Sequence, residues 1–496
     1  MTADSFDDLL GVTKLQPGYS EAALRLGLKA ITARREAEAL PVLAAAEAAN
    51  PHDAALPHVT GLMYRAIGDL AAAIAAFDRG LAVSKASARL YHARATAAME
   101  AGLPALYWFE AARRLAPADG DVILGHAAAL LNEGQRDAAD VLLCAMLRQH
   151  PGWLPGHSAL LQLRYAAGDR TAWLDEISAA IDMAPRDPRL RDIQIMALGR
   201  AGDSDAARAA LAAATATAGT SAMQVTAAII GTEHGDLDAA DHAFASLDPT
   251  ATPGLAIHWL RHLLRRHRAD EVELFDARLA AAMRPLARPY LALAWRLLGD
   301  QRAASVDGVA DIRIVDFGTD WPLLPPLAEA LRALHVQPAQ PLDQSVRGGT
   351  QTDGPLLSRV DPAIRALRER VEAEVAAYIA AMPATPARPF AAERPARPRF
   401  TGSWSVRLAG GGFHEPHVHG DGWLSSAFYI AVPPGLDGDA GALTIGAPQA
   451  SLGLDLEPQR CIAAHPGRLI LFPSTSWHGT RPFPAGERLT LAFDIG

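Results

Sequence analysis

Cysteine is nearly absent: the 496 residues hold two, Cys144 and Cys461. Two thiols so far apart build no disulfide framework, which fits a reducing, cytoplasmic setting. Basic charge is also short. Lys and Arg total 46 against 55 Asp and Glu, a formal net charge of −9. A nucleic-acid footprint is normally basic, so nucleic acid is not an expected partner, and the acid excess reads as a solvated surface. No apolar run is long enough to span a bilayer. The opening Met1-Thr-Ala-Asp-Ser-Phe-Asp-Asp8 has neither a basic start nor a long apolar core. A membrane span and a secretory leader are therefore not expected. What remains is an ordinary globular composition, 50% hydrophobic and 20% charged, with length for roughly two to four domains.

A repeat comes first. Gly68-Asp-Leu-Ala-Ala-Ala-Ile-Ala-Ala-Phe77 returns as Gly235-Asp-Leu-Asp-Ala-Ala-Asp-His-Ala-Phe244. Between them glycine recurs at 102, 134, 168 and 202, in steps of 34, 32, 34, 34 and 33. Pro117, Pro151 and Pro185 keep the same beat. This is the period of tetratricopeptide repeats, helix pairs stacked into an all-α superhelix. Gly27, Ala39, Leu43 and Pro51 place the first pair near residues 20–53. In the next, Gly61, Tyr64, Ala73 and Phe77 put small residues where helices cross and aromatics in the gaps. About seven pairs fill residues 1–253 at this period. One pair cannot bury its apolar face alone, so the stack is continuous, and it either binds a protein or peptide or serves as a scaffold. Residues 254–305 keep helical spacing through Trp259, Leu263, Phe275, Tyr290 and Leu297, and read as capping and linking helices. Their basic run, 262–268, reads as a solvated helix face.

Residues 306–496 change character. Residues 312–317 read as a strand, 322–335 as a helix and 361–382 as an amphipathic helix. Gln344-Ser-Val-Arg-Gly-Gly-Thr-Gln-Thr352 reads as a polar, glycine-bearing loop. Prolines at 383, 386, 389, 395 and 398 exclude helix and central strand, leaving an extended loop. Short runs at 403–408, 424–432, 442–445, 468–472 and 488–495, parted by Pro and Gly clusters, read as strands of a β-barrel. His417 and His419 lie two apart, so on a strand their rings point the same way. His478 follows a buried-strand pattern, and Arg488 comes ten residues later. Three imidazoles on one face suit a non-haem iron with three positions left open. A guanidinium makes two parallel, charge-assisted bonds to one carboxylate.

A short-spaced pair, a distant His and a downstream Arg resemble the iron(II)/2-oxoglutarate oxygenases. The words around them are His417-Val-His419, Trp423-Leu-Ser-Ser-Ala-Phe-Tyr429, Gly467-Arg-Leu-Ile-Leu-Phe-Pro-Ser474, Trp477-His-Gly479 and Arg488-Leu-Thr-Leu-Ala-Phe-Asp494. With the stretch at 344–352, they are similar to the members of that family found fused to tetratricopeptide repeats, over residues 311–496. The resemblance implies a double-stranded β-helix, or jelly-roll, domain with flanking helices over residues 306–496, and iron(II) and 2-oxoglutarate as cofactors. It places the metal on His417, His419 and His478. It puts Arg488 on the far carboxylate of 2-oxoglutarate, with Tyr429 and Ser426 lining that pocket. Arg347, Gln351, Thr352, His414 and Trp423 then surround the substrate mouth. The family's usual second ligand is a carboxylate. The frame His419-Gly-Asp421 restores it, so His419, Asp421 and His478 form a second candidate set. The implied activity is hydroxylation of a protein or peptide recruited by the repeats. Two alternatives stand beside it: a repeat scaffold with a degenerate barrel, and a three-His iron dioxygenase that does not use 2-oxoglutarate. The substrate and the oligomeric state are not written in these words.

Overall fold

The computed structural model describes residues 5–337, 342, 344–352, 354–383, 388–420 and 422–496. Helix Phe6–Leu15 is followed by seven helix pairs among the described residues, from Ser20–Ala33 with Glu36–Ala49 to Gln224–His234 with Leu237–Phe244. The Gly-Asp dipeptides make the breaks within pairs. Gly68 at φ +75° and Gly235 at +89° adopt the left-handed conformation that ends a helix, which glycine enters without strain. The next residue starts the following helix: the carboxylate of Asp69 accepts from Ala72 N–H, and that of Asp236 from Ala239 N–H. Helix crossing is close where the small residues sit. A Cβ on Gly61 would lie 2.4 Å from the Phe77 ring.

The chain divides into two compact units. One comprises residues 1–146 with 354–369, the other 147–353 with 370–496. In the first unit, Leu26, Leu43, Val59 and Met63 share one buried cluster, and Leu70, Phe77 and Leu90 another. The distant segment 354–369 closes on the ends of these helices. Val360 N–H donates to Ala101 O at 3.1 Å, and Arg368 Nη1 to Gly68 O at 2.9 Å. These bonds satisfy carbonyls that helix termini leave without intrahelical partners.

In the second unit, helices Pro253–Arg265, Ala269–Asp276 and Arg284–Leu297 share a core with Leu452 and Trp477 of the β-rich part. Trp477 Nε1 donates to Pro289 O at 3.1 Å, and Tyr290 meets its ring edge-on at 5.7 Å. The basic run is not a solvated face. His262 is fully buried and donates through Nε2 to Asp241 at 2.9 Å, while Leu263 and Leu264 are core. Arg266 and Arg268 pair with acids of the neighbouring helices. Just upstream, buried Arg261 grips Glu233 at 2.6 Å and reaches Gln449 at 3.1 Å. A periodic apolar stripe inside the run buried its neighbours, so the cations stayed next to the acids they neutralise.

Among the described residues, nine strands complete this unit: β1 Arg313–Asp316, β2 Val346–Gln351, β3 Phe400–His414, β4 Leu424–Ala431, β5 Leu443–Ile445, β6 Arg460–Ile462, β7 Arg468–Pro473, β8 His478–Thr480 and β9 Arg488–Ile495. They form a six-stranded sheet, β1-β7-β4-β9-β3-β2, and a three-stranded sheet, β6-β5-β8, with every pairing antiparallel. The arrangement is of jelly-roll type, and among the described residues the strands close no barrel. Two local expectations change. The stretch read as a glycine-bearing loop is β2, paired with β3. Its glycines serve close approach: a Cβ on Gly349 would lie 2.4 Å from Arg407 O. The proline-rich stretch holds one helical turn, Pro389–Ala392, with Pro389 at its start, where no N–H is needed.

Cross-strand register sets the inner face of the large sheet. Ser425 lies opposite Asp494, Tyr429 opposite Thr490, and Trp404 opposite Ala492. Tyr429 shares a cluster with Leu443 and Ile445 of the small sheet, so this face looks into the space between sheets. There Ala427 and Ala492 contribute only methyl groups, and both remain partly exposed among buried neighbours.

Candidate metal centre

β3 ends at His414, and the next residues cross to the chain around β8. His417 N–H donates to His478 O at 2.9 Å and His478 N–H to His417 O at 3.0 Å. His419 N–H donates to Ser474 O at 2.9 Å. This isolated bridge, rather than a full strand, brings the His-x-His stretch against His478. The ring centroids of His417 and His478 are 4.3 Å apart, and His419 lies 5.0 Å from each. One nitrogen from each ring falls within 4.8 Å of the other two.

Each ring is anchored through its Nδ1. His417 Nδ1–H donates to Glu415 O at 2.8 Å, His478 Nδ1–H to Ser476 O at 3.0 Å, and His419 Nδ1–H to the Asp494 carboxylate at 2.7 Å. That leaves the three Nε2 lone pairs to face an ion, with the Ser345 hydroxyl 3.4 Å from that of His417, the arrangement that fixes tautomer and ring orientation at metal sites. Burial, reinforced by neighbouring His419, holds His417 down to about 4. Burial and the adjacent rings hold His478 well below its ordinary range. Both rings are neutral at pH 7 and offer lone pairs. The donor set therefore fits a divalent first-row ion.

A cavity of about 290 Å³ opens beside the histidines, lined by Gln344, Ser345, Gln351, Trp404, His414, His417, Val418 and His419. His414 and Gln351 are thus on its wall. Thr352 is not: its hydroxyl accepts from Ser405 N–H at 2.9 Å and prolongs the β2–β3 ladder. Arg347 is tied to Glu415 at 3.0 Å. Trp423 is buried away from the cavity, stacked on Phe390 at 4.8 Å and donating to its carbonyl at 2.8 Å. Asp421 lies outside the described residues.

Arg488 and Tyr429 come together elsewhere between the sheets. Arg488 is 1% exposed, with Nη1 on Gly441 O at 2.7 Å and Nη2 on Thr480 Oγ1 at 2.9 Å. Thr480 is two residues along β8 from His478, hence on the same face. Arg488 Cζ sits 6.0 Å from the Tyr429 ring centroid. Arg488 Nε and Tyr429 Oη are both buried with no hydrogen-bond partner among the described residues. Burial lowers the basicity of Arg488 and raises the Tyr429 phenol, so that hydroxyl stays protonated. Ser426 points to the other face of β4, where it donates to Phe493 O and accepts from Phe493 N–H. It is Ser425 that shares the inner face with Tyr429.

Sequence reading passed over Ser345, Trp404, Ser425 and Asp494. Parity alone marked Asp494, which lies six residues after Arg488 on one strand and so faces the same way.

Fold and geometry define a class: a helical-repeat array continued by a jelly-roll that gathers three histidines beside a cavity. Residues 402–494 match the family model described as "Putative 2OG-Fe(II) oxygenase". Solved tetratricopeptide-repeat proteins resemble the chain. One is YrrB, described as having an unusual peptide-binding site, at 18% identity over 38% of this chain and 97% of its own, with TM-score 0.30. Another is TTC0263 of Thermus thermophilus, at 22% identity over 34% and 94%, with TM-score 0.27. A third is a repeat protein of Parabacteroides merdae, at 18% identity over 45% and 90%, with TM-score 0.30. No curated protein matches the chain. Among the described residues no helix is long and apolar enough to cross a membrane.

Proposed function

We propose that this chain is an iron(II)- and 2-oxoglutarate-dependent dioxygenase that hydroxylates a protein or peptide held by its helical repeats. The observation that carries the reading is the trio of Nδ1-anchored imidazoles whose ligand nitrogens converge within 4.8 Å. His417, His419 and His478 would hold the metal. When bound, iron(II) with 2-oxoglutarate supplies oxygen activation coupled to decarboxylation of the co-substrate to succinate. The chain's share is positioning. Arg488 Nε and Tyr429 Oη are two buried donors without a partner among the described residues, with Arg488 Cζ 6.0 Å from the Tyr429 ring centroid, and a carboxylate could satisfy both. The alanine methyls at 427 and 492 keep room between the sheets, and the apolar cluster around Ile445 and Phe472 excludes water. Domains at 1–253, 254–305 and 306–496 and a reducing cytosol complete the proposal.

The test is succinate release from 2-oxoglutarate. The wild-type protein should release it only with iron(II), and His478→Ala should abolish it. Iron-dependent release that survives His478→Ala would sink the assignment.

A second reading has its own support. The three converging ligands include no carboxylate, and two arms of Arg488 are already bonded. Both features suit a three-His dioxygenase that does without 2-oxoglutarate. Anaerobic titration of 2-oxoglutarate into the iron(II) protein separates the two: a charge-transfer band favours the first, its absence the second.

A further inference from the structure

Two of the three histidines are anchored on backbone carbonyls, Glu415 O and Ser476 O. His419 alone is anchored on a charge. Its Nδ1–H donates to Asp494 Oδ2 at 2.7 Å. The carboxylate is itself fixed: Ser425 Oγ–H donates to its other oxygen at 2.6 Å, and Ser425 shares a hydrogen bond with Ser474 at 2.9 Å. The Ser474 carbonyl in turn takes the His419 backbone N–H at 2.9 Å. The Trp404 ring stands 5.4 Å from the His419 ring. Asp494 is 14% exposed, and among the described residues no lysine or arginine pairs with it. Its charge is thus spent on one imidazole.

We propose that Asp494 is the positioning residue of this centre: it orients His419 and supplies, through that ring, the negative charge that an all-histidine ligand set lacks. Where a metal is held by two histidines and a carboxylate, the charge sits on the metal. Here it sits behind one ligand, and a carboxylate behind a ligating histidine raises that ligand's basicity. One strand then carries both this carboxylate and Arg488, six residues apart on one face of β9. The inference rests on His417, His419 and His478 being the metal ligands.

The experiment is titration of cobalt(II) into the metal-free full-length protein, followed by absorption and calorimetry. The variants are Asp494→Asn, Ser425→Ala and His478→Ala. The asparagine amide oxygen still accepts from Nδ1–H, so that change removes charge and keeps shape. Asp494→Asn is expected to weaken cobalt(II) binding by about 10- to 100-fold and to shift the ligand-field bands, with the thermal midpoint of the metal-free protein held. Binding within about twofold of wild type in Asp494→Asn, with His478→Ala binding nothing, would overturn the role of Asp494 and leave the metal reading intact. Wild-type protein that takes up no cobalt, or His478→Ala that binds it as well, overturns both. Should Asp494→Asn fail to fold, Ser425→Ala decides: binding weakened by about threefold or more supports the role, and unchanged binding overturns it.

Discussion

At the scale of the residue, Tyr429 is the most informative side chain. Its hydroxyl is buried without a partner among the described residues, and an orphan of that kind costs about 1–3 kcal/mol. Tyr429→Phe should therefore stabilise the ligand-free protein by about 1 kcal/mol, read as a higher urea midpoint. It should also raise the KM for 2-oxoglutarate several-fold. A variant that is less stable, with KM unchanged, would show that the hydroxyl has some other use. His58 allows a second test, far from the candidate centre. Burial, with Arg89 beside it, holds its pKa down to about 4, while in the unfolded chain it titrates near 6.5. Between those values the unfolded chain binds a proton that the native one does not. Its contribution is flat above about pH 6.5 and is lost as pH falls toward 4. The thermal midpoint should drop on acidification from pH 7 to 4.5, and His58→Gln should make that drop shallower. The convergence of the three histidines was legible because their spacing is chemical as well as structural. Ser425 and Trp404 were not, since a serine or tryptophan on a strand becomes part of a site only through which neighbour faces it.

At the scale of the element, what is local was readable and what is paired at a distance was not. The helix pairs announce themselves by a period, and the Gly-Asp breaks carry their own conformational reason. Strands β6 and β8 are three residues each, and β2 is rich in Gly and polar residues. Nothing inside them signals a strand, because their partners Leu443–Ile445 and Phe400–His414 lie elsewhere in the chain. Two glycines separate the two demands that repeats make. Gly61 has an aromatic ring where its Cβ would go, whereas Gly134 has open space but φ +75°. Gly61→Ala should cost about 1–3 kcal/mol through overpacking. Gly134→Ala should cost about 1 kcal/mol through backbone strain alone. Urea midpoints of the two variants check the order, and equal losses would remove the packing explanation.

At the scale of the whole molecule, the β-rich part depends on helices that precede it. Leu452 and Trp477 are buried by the same cluster as Leu260, Leu263, Tyr290 and Leu293, and Trp477 adjoins His478. A fragment of residues 306–496 leaves that cluster open. It should show no cooperative thermal transition and bind dye at exposed apolar surface, whereas a fragment of residues 147–496 keeps the cluster. A cooperative transition in the short fragment would refute this dependence.

The segment 354–369 has a consequence for anyone recombining this protein. It belongs to one compact unit with residues 1–146 and bonds there to Gly68 and Ala101, while the chain on either side of it belongs to the other unit. Exchanging the repeats for a foreign array at a single junction would strand those sixteen amino acids against a surface that never evolved to receive them. A working chimera must carry two inserts, the array and its matching buckle.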